Sequence, residues 1–252
     1  DTTLSVKENI VRNMLDADGF FLREAMREVS EELRETAVYN TILTGLAEGR
    51  NTLQELYSHT GFSRAKISVY LKSLMELELV EKVFSFDTEG HANTKKGYYR
   101  IKSHLVEFYY RFVYPHASDA ELMSGEAFYE KYIEKDFRAF VDVHFKEICR
   151  EYMEEENAAG KLPFALTKIS EWIGKQGCVD IVGSTEGENC LIGACFFTPM
   201  VTYEFYEELL LAAKQAKIAY SYIYLFGIDR FDGKLLLEAR VKKNIRLVNL
   251  GE

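Results

Sequence analysis

Eight consecutive residues, Cys190 to Phe197 (C-L-I-G-A-C-F-F), carry no charged side chain, and V-D-I-V, Val179 to Val182, lies just upstream. The polar Gly/Ser/Glu/Asn stretch Gly183 to Asn189 joins them. Short apolar runs bounded by turn residues read as strands, and a pair of them needs helices as cover. The flanking chain supplies that cover. Phe128 to Tyr152 carries Tyr132, Phe137, Phe140, Val141, Phe145, Ile148 and Cys149, which predicts a helix with these residues on its apolar side. Further strands are predicted at Phe164 to Trp172, Ala219 to Phe226 and Ile245 to Leu250, and a helix at Tyr203 to Lys217. This order predicts an α/β domain over 128–252, with a mixed central sheet under helices.

At 252 residues the chain exceeds a usual single domain of roughly 100–200, so two domains are expected. No apolar run approaches the ~18 residues of a membrane span, so no membrane partner is expected. Asp1 to Asp18 is charged and helical in pattern, which does not read as a signal peptide. Cys149, Cys178, Cys190 and Cys195 form no C-x-x-C pair and are expected as buried free thiols in a reducing cytoplasm. The net charge of −9 is uneven. Residues 1–36 have 5 basic and 9 acidic groups, whereas 37–104 have 9 basic and 7 acidic, the only stretch that favours a polyanion.

The first half is helical and then turns to strand. Apolar residues from Leu4 to Leu15, and a second segment from Phe20 to Leu33, predict two helices within 1–36. A third, Thr36 to Ala47, aligns Val38, Ile42, Leu43 and Leu46, and Gly49 suits its C-cap. Thr52 with Glu55 three residues on is a capping-box pattern. Gly61 ends that helix, and Ser63 caps the next, with Ile67, Tyr70, Leu71 and Leu74 at helical spacing. Leu79 to Phe86 and Gly97 to Ile101 then read as strands around a polar tip. Three helices and a hairpin make a winged helix-turn-helix over 37–104. Residues 105–127 read as a connector, with His116 to Gly125 as its linker portion.

V-D-I-V followed by C-L-I-G-A-C-F-F also has the skeleton of a restriction-endonuclease-like metal site, D…(E/Q)-X-K. Ala194 and Phe196 fill the (E/Q)-X-K slots, while Glu147 and Asp180 match two acidic positions. Other stretches resemble the C-terminal part of a family of prokaryotic P-loop ATPases of archaeal type. Leu22 to Glu35 resembles the end of that family's ATPase lid, which makes 1–36 a helical remnant. Tyr39 to Leu56 and Tyr70 to Val83 resemble its winged helix, and Tyr98 to Pro115 is similar to its connector. Phe145 to Tyr152, Ile169 to Gly174, V-D-I-V and L-I-G-A-C-F-F resemble its C-terminal domain of unknown function, with an endonuclease-like fold. The resemblance implies an ATPase domain in the same parent chain. No G-x-x-x-x-G-K-[ST] occurs here, so this segment is expected not to hydrolyse ATP by itself.

Metal-dependent cleavage needs carboxylates on Mg²⁺ and a lysine beside the attacking water. Ala194 and Phe196 can serve neither role, and sliding the register brings only Gly193, Cys195 and Phe197. A vestigial site of Glu147, Asp180, Ala194 and Phe196 is therefore expected, with no catalytic residue, metal or cofactor. Asp180, if buried, needs backbone N–H groups or a basic side chain as partners. The five histidines show no metal-ligand spacing, and no G-x-S-x-G occurs. Ser63, Arg64, Lys66, Ser68 and Lys72 can face outward on the recognition helix, and Lys95 and Lys96 lie at the hairpin tip. Arg reads guanine edges, whereas Lys and Ser hold phosphates. Nearby Glu76, Glu78, Glu81, Asp87 and Glu89 oppose that reading, and packing against another domain or subunit is its rival.

The first reading is a non-catalytic DNA-binding or interaction module of a larger ATPase, with an inactivated nuclease-like domain. A metal-dependent nuclease working through Glu147 and Asp180 is the second, and a purely structural oligomerisation module the third.

Overall fold

The computed structural model describes residues 1–16, 18–30, 36–88, 97–174, 177–187 and 190–251. They divide into two units, Asp1–Val83 with Lys95–Phe137, and Phe84–Thr94 with Arg138–Glu252.

The first unit opens with α1 (Val6–Ile10), a π turn at Val11–Leu15, and α2 (Phe20–Ser30). A reciprocal box between Ser5 and Glu8 caps α1. α3 (Thr36–Ala47), α4 (Leu53–Thr60) and α5 (Arg64–Glu76) follow. β1 (Val80–Val83) and β2 (Tyr98–Ile101) pair antiparallel, with Val80 opposite Ile101. The connector is helical: α6 (His104–Phe108), a π turn at Tyr109–Val113, a 3₁₀ turn at Tyr114–His116, and α7 (Ala117–Ala120). α8 (Gly125–Phe128), capped by Ser124, leads into a third π turn at Tyr129–Ile133. The stretch read as a linker thus carries α7 and a helix cap. Ile42, Leu43 and Leu46 of α3 meet Leu56, Ile67, Leu71, Leu74, Val80 and Ile101 in one core cluster. Burial contributes about 1.5–3 kcal/mol for each such side chain. Tyr110 enters the same core and donates to Asn40 Oδ1 at 2.6 Å, so its hydroxyl is satisfied.

The second unit holds α9 (Glu134–Ala158) from Arg138 onward, then β3 (Lys168–Gly174), β4 (Gly177–Ser184) and β5 (Cys190–Cys195). β6 (Met200–Val201), α10 (Tyr203–Ala216), β7 (Tyr222–Gly227), β8 (Arg230–Phe231), α11 (Gly233–Val241) and β9 (Ile245–Asn249) complete it. The main sheet runs β3-β4-β5-β7-β9; its first two pairings are antiparallel and its last two parallel, so the sheet is mixed as expected. Ile192, Ala194, Ile223 and Leu225 pack with Tyr206, Leu209 and Ala213 of α10. Ile181, Leu191, Cys195, Tyr224 and Phe226 pack with Phe145, Cys149 and Met153 of α9. The sheet is therefore covered by α10 on one face and α9 on the other. Phe86 N–H donates to the Glu171 carbonyl at 2.7 Å, so residues after β1 line the β3 edge instead of prolonging β1 to Phe86.

Some elements carry weak local signals. The pair β6–β8 is two residues long on each side, too short for periodicity. α11 buries only Leu235 of its three consecutive leucines, which hides its helical period. Ile148, expected on the apolar side of α9, is 53% exposed. Cys178 is likewise exposed, although Cys149, Cys190 and Cys195 are buried as free thiols.

One irregularity decides the faces of β4. Ser170 lies opposite Val182, and Trp172 opposite Val179, so two steps on β3 match three on β4. This is a β-bulge at Asp180–Ile181. Val179 and Val182 consequently both pack on the α10 side, while Ile181 turns toward α9.

Candidate functional site

The helix-turn-helix is built from local signals. Thr52 accepts the Glu55 N–H, and Glu55 returns a bond to the Thr52 backbone, which fixes the start of α4. Gly61, at φ +68°, ends α4 in the left-handed region where a side chain would be strained. Three residues later α5 begins under the cap of Ser63, whose Oγ accepts the Lys66 N–H at 3.2 Å. The Ser63 hydroxyl is thus engaged in its own helix.

α5 buries Ile67, Leu71 and Leu74, which leaves the opposite side of the helix to solvent. Arg64, Lys66, Ser68 and Lys72 are all exposed. Lys72 lies 3.5 Å from Glu76, which offsets part of its charge. The Lys66 ammonium sits over the rings of Phe62 and Tyr70, at 4.4 and 5.8 Å. Arg64 lies 4.4 Å over the Tyr57 ring and donates to Gln54 Oε1. On the hairpin, Arg100 pairs with Glu81, and Lys102 lies 3.3 Å from Glu78. Among the described residues, Arg64 and Lys66 form no salt bridge. Lys95 and Lys96, with His91 and Asn93, lie outside the described residues.

Residues 40–82 match the family described as bacterial regulatory protein, arsR family. This segment is an ArsR-type winged helix-turn-helix. Residues 109–205 match a second family, described as Archaea bacterial proteins of unknown function. The chain is also similar to the uncharacterized protein MJECL04 of Methanocaldococcus jannaschii, at 30% identity over 172 residues. That alignment covers 68% of this chain and 38% of the archaeal protein's length.

Beside the ArsR-type segment, the other predicted site is the acidic strand position of the second unit. Asp180 is 7% exposed. Its Oδ1 lies 2.6 Å from Lys146 Nζ, and its Oδ2 accepts the Cys195 N–H at 3.0 Å. Cys178 Sγ is 3.4 Å from Oδ1. The buried carboxylate therefore has both kinds of partner it requires, a backbone donor and a cation. Burial by itself would lower the Lys146 ammonium, but the Asp180 charge, with Cys178 beside it, outweighs burial and holds it above the usual lysine range.

The four residues read as one vestigial site are not brought together. Ala194 lies in the cluster on the α10 side, and Phe196 stacks on Phe205 of α10 with ring centroids 4.4 Å apart. Asp180 reaches Lys146 of α9, on the opposite face. Strict alternation would place Asp180 with Ala194; the bulge at 180–181 shifts it by one residue and so changes its face. Glu147 does not join Asp180 either. On α9 it stands roughly 160° around the helix from the seam of Phe145, Cys149 and Met153.

The reading by motif missed a ladder on α9. Arg138, Asp142, Lys146 and Arg150 stand at every fourth position, hence on one stripe. Arg138 donates to the Phe197 carbonyl at 3.3 Å, and Asp142 Oδ1 accepts the Phe197 N–H at 2.9 Å. Arg150 lies 3.9 Å from Glu171 of β3. Four charges at a spacing of four are visible in the sequence, but they read equally as a solvated helix face. Tyr57 and Gln54 escape for a different reason: their contacts with Arg64 run between α4 and α5, which spacing along either helix does not mark.

Proposed function

We propose that this chain binds duplex DNA through its winged helix, with Arg64, Lys66, Ser68 and Lys72 as the exposed residues of α5 that make the contacts. The supporting observation is that α5 of an ArsR-type segment exposes Arg64 and Lys66, which among the described residues have no carboxylate partner. Ser63 caps α5 with its Oγ as acceptor, and its O–H is still able to donate to a phosphate. The second unit is a non-catalytic scaffold in this reading, with a nuclease-like ancestry carried by resemblance. Its support is the engagement of Asp180 by Lys146 and the Cys195 N–H, which takes up the carboxylate a metal would need. The resemblance of Leu22 to Glu35 to an ATPase lid supports a P-loop ATPase as the parent protein, and the winged helix would direct that motor to DNA.

The test is fluorescence anisotropy with labelled duplex DNA at two salt concentrations. Wild type binds, and Arg64→Ala with Lys66→Ala weakens binding and flattens the log–log salt slope by about one unit per lost phosphate contact. Unchanged affinity in the double variant would move the interface away from α5. Incubation with plasmid and Mg²⁺ or Mn²⁺ gives no cleavage; nicking that disappears in Asp180→Ala would return the nuclease reading.

A further inference from the structure

Arg64 is the first residue of α5, the end at which helix-turn-helix proteins present side chains to base edges. Its guanidinium is held on two sides by α4. The Tyr57 ring lies beneath it at 4.4 Å, and Nη2 donates to Gln54 Oε1. Gln54 is itself turned by a bond from its Nε2 to Ser58 Oγ, 3.3 Å away and one helical turn on. A guanidinium has five N–H donors in one plane. The stack uses its face and Gln54 uses one donor, so edge donors stay available to a ligand. Fixing the plane beforehand lowers the ordering cost of a two-bond contact. The partner with matching acceptors in the major groove is guanine, through O6 and N7. Lys66 differs: its ammonium over Phe62 is a point charge with no fork, suited to a phosphate.

We infer that Tyr57 and Gln54 are positioning residues that preorganise Arg64 to read a guanine in duplex DNA, while Lys66 serves the backbone. This rests on the DNA-binding reading above.

The test selects from a duplex pool with a randomised centre, then measures binding to duplexes changed one base pair at a time. Wild type selects a G·C pair at one position. Arg64→Lys loses about tenfold of that preference or more. Tyr57→Leu loses about three- to fivefold, while Tyr57→Phe, which keeps the ring, retains it. Lys66→Ala weakens all duplexes alike. Tyr57 is 40% exposed, so these changes leave the core intact. A wild-type preference in Tyr57→Leu overturns the positioning role. A uniform loss across sequences in Arg64→Lys, or a wild type that selects no guanine, overturns base reading by Arg64. In these cases DNA binding itself stands; a wild type that binds no duplex ends that reading as well.

Discussion

Lys146 Nζ lies 2.6 Å from Asp180 Oδ1, and one turn further along α9 Arg150 faces Glu171 of β3. The two pairs tie the helix to the two strands at one edge of the sheet. The first also neutralises, from within the unit, the carboxylate that sequence pattern marks for a metal.

Removing only the lysine leaves that carboxylate buried without its cation. Lys146→Met should cost about 2–4 kcal/mol of unfolding free energy, below the range for fully buried pairs because Lys146 is 31% exposed. Adding Asp180→Asn should recover most of the loss. Urea denaturation of the single and double variants measures the coupling, and additive effects would mean the two groups act independently.

The same pair sets a dependence on pH. Because the native ammonium holds its proton more tightly than the unfolded one, its stabilisation is complete below the unfolded lysine value of about 10.4 and is lost as pH rises through the native value. Denaturation midpoints above about pH 10 should therefore fall more steeply in wild type than in Lys146→Met. Parallel curves would show that this pair carries no such linkage.

Restoring the motif letters should not restore a metal site. Ala194 is 6% exposed in an apolar cluster, so Ala194→Glu should cost about 3 kcal/mol or more. Ala194→Glu with Phe196→Lys should give no saturable Mg²⁺ heat in calorimetry, since both side chains leave the sheet on the face opposite the Asp180 carboxylate. Binding that vanishes on adding Asp180→Asn would place all three on one face, against the bulge.

Gly61 tests the corner of the helix-turn-helix. A Cβ there meets nothing within 4 Å, so the only cost is its left-handed backbone. Gly61→Ala should lose about 1 kcal/mol, and Gly61→Asn less, because Asn tolerates this region. Thermal melts of the three proteins decide it; an equal loss in both variants would point to something other than backbone strain.

What the sequence determined by itself were features whose energetics close within a few residues. The box between Thr52 and Glu55, the stop at Gly61 and the cap at Ser63 follow from bonds within one turn, and so does the order of helices and hairpin in the first unit. The apolar strands around Asp180 were legible too, since a short run without charge has few other places to go. Only the tertiary structure decided which way those strands face. The bulge at Asp180–Ile181 arises from pairing with β3, and no local signal marks it; because side chains alternate, one extra residue moves Asp180 from Ala194 to Lys146. The choice of Lys146 over its neighbour Glu147 is also a matter of angle, set by how Phe145, Cys149 and Met153 seat α9 on the sheet. Likewise Arg64 was visible as an exposed cation, but its alignment by Tyr57 and Gln54 depends on how α4 packs beside α5, a contact between side chains that spacing along one helix cannot encode.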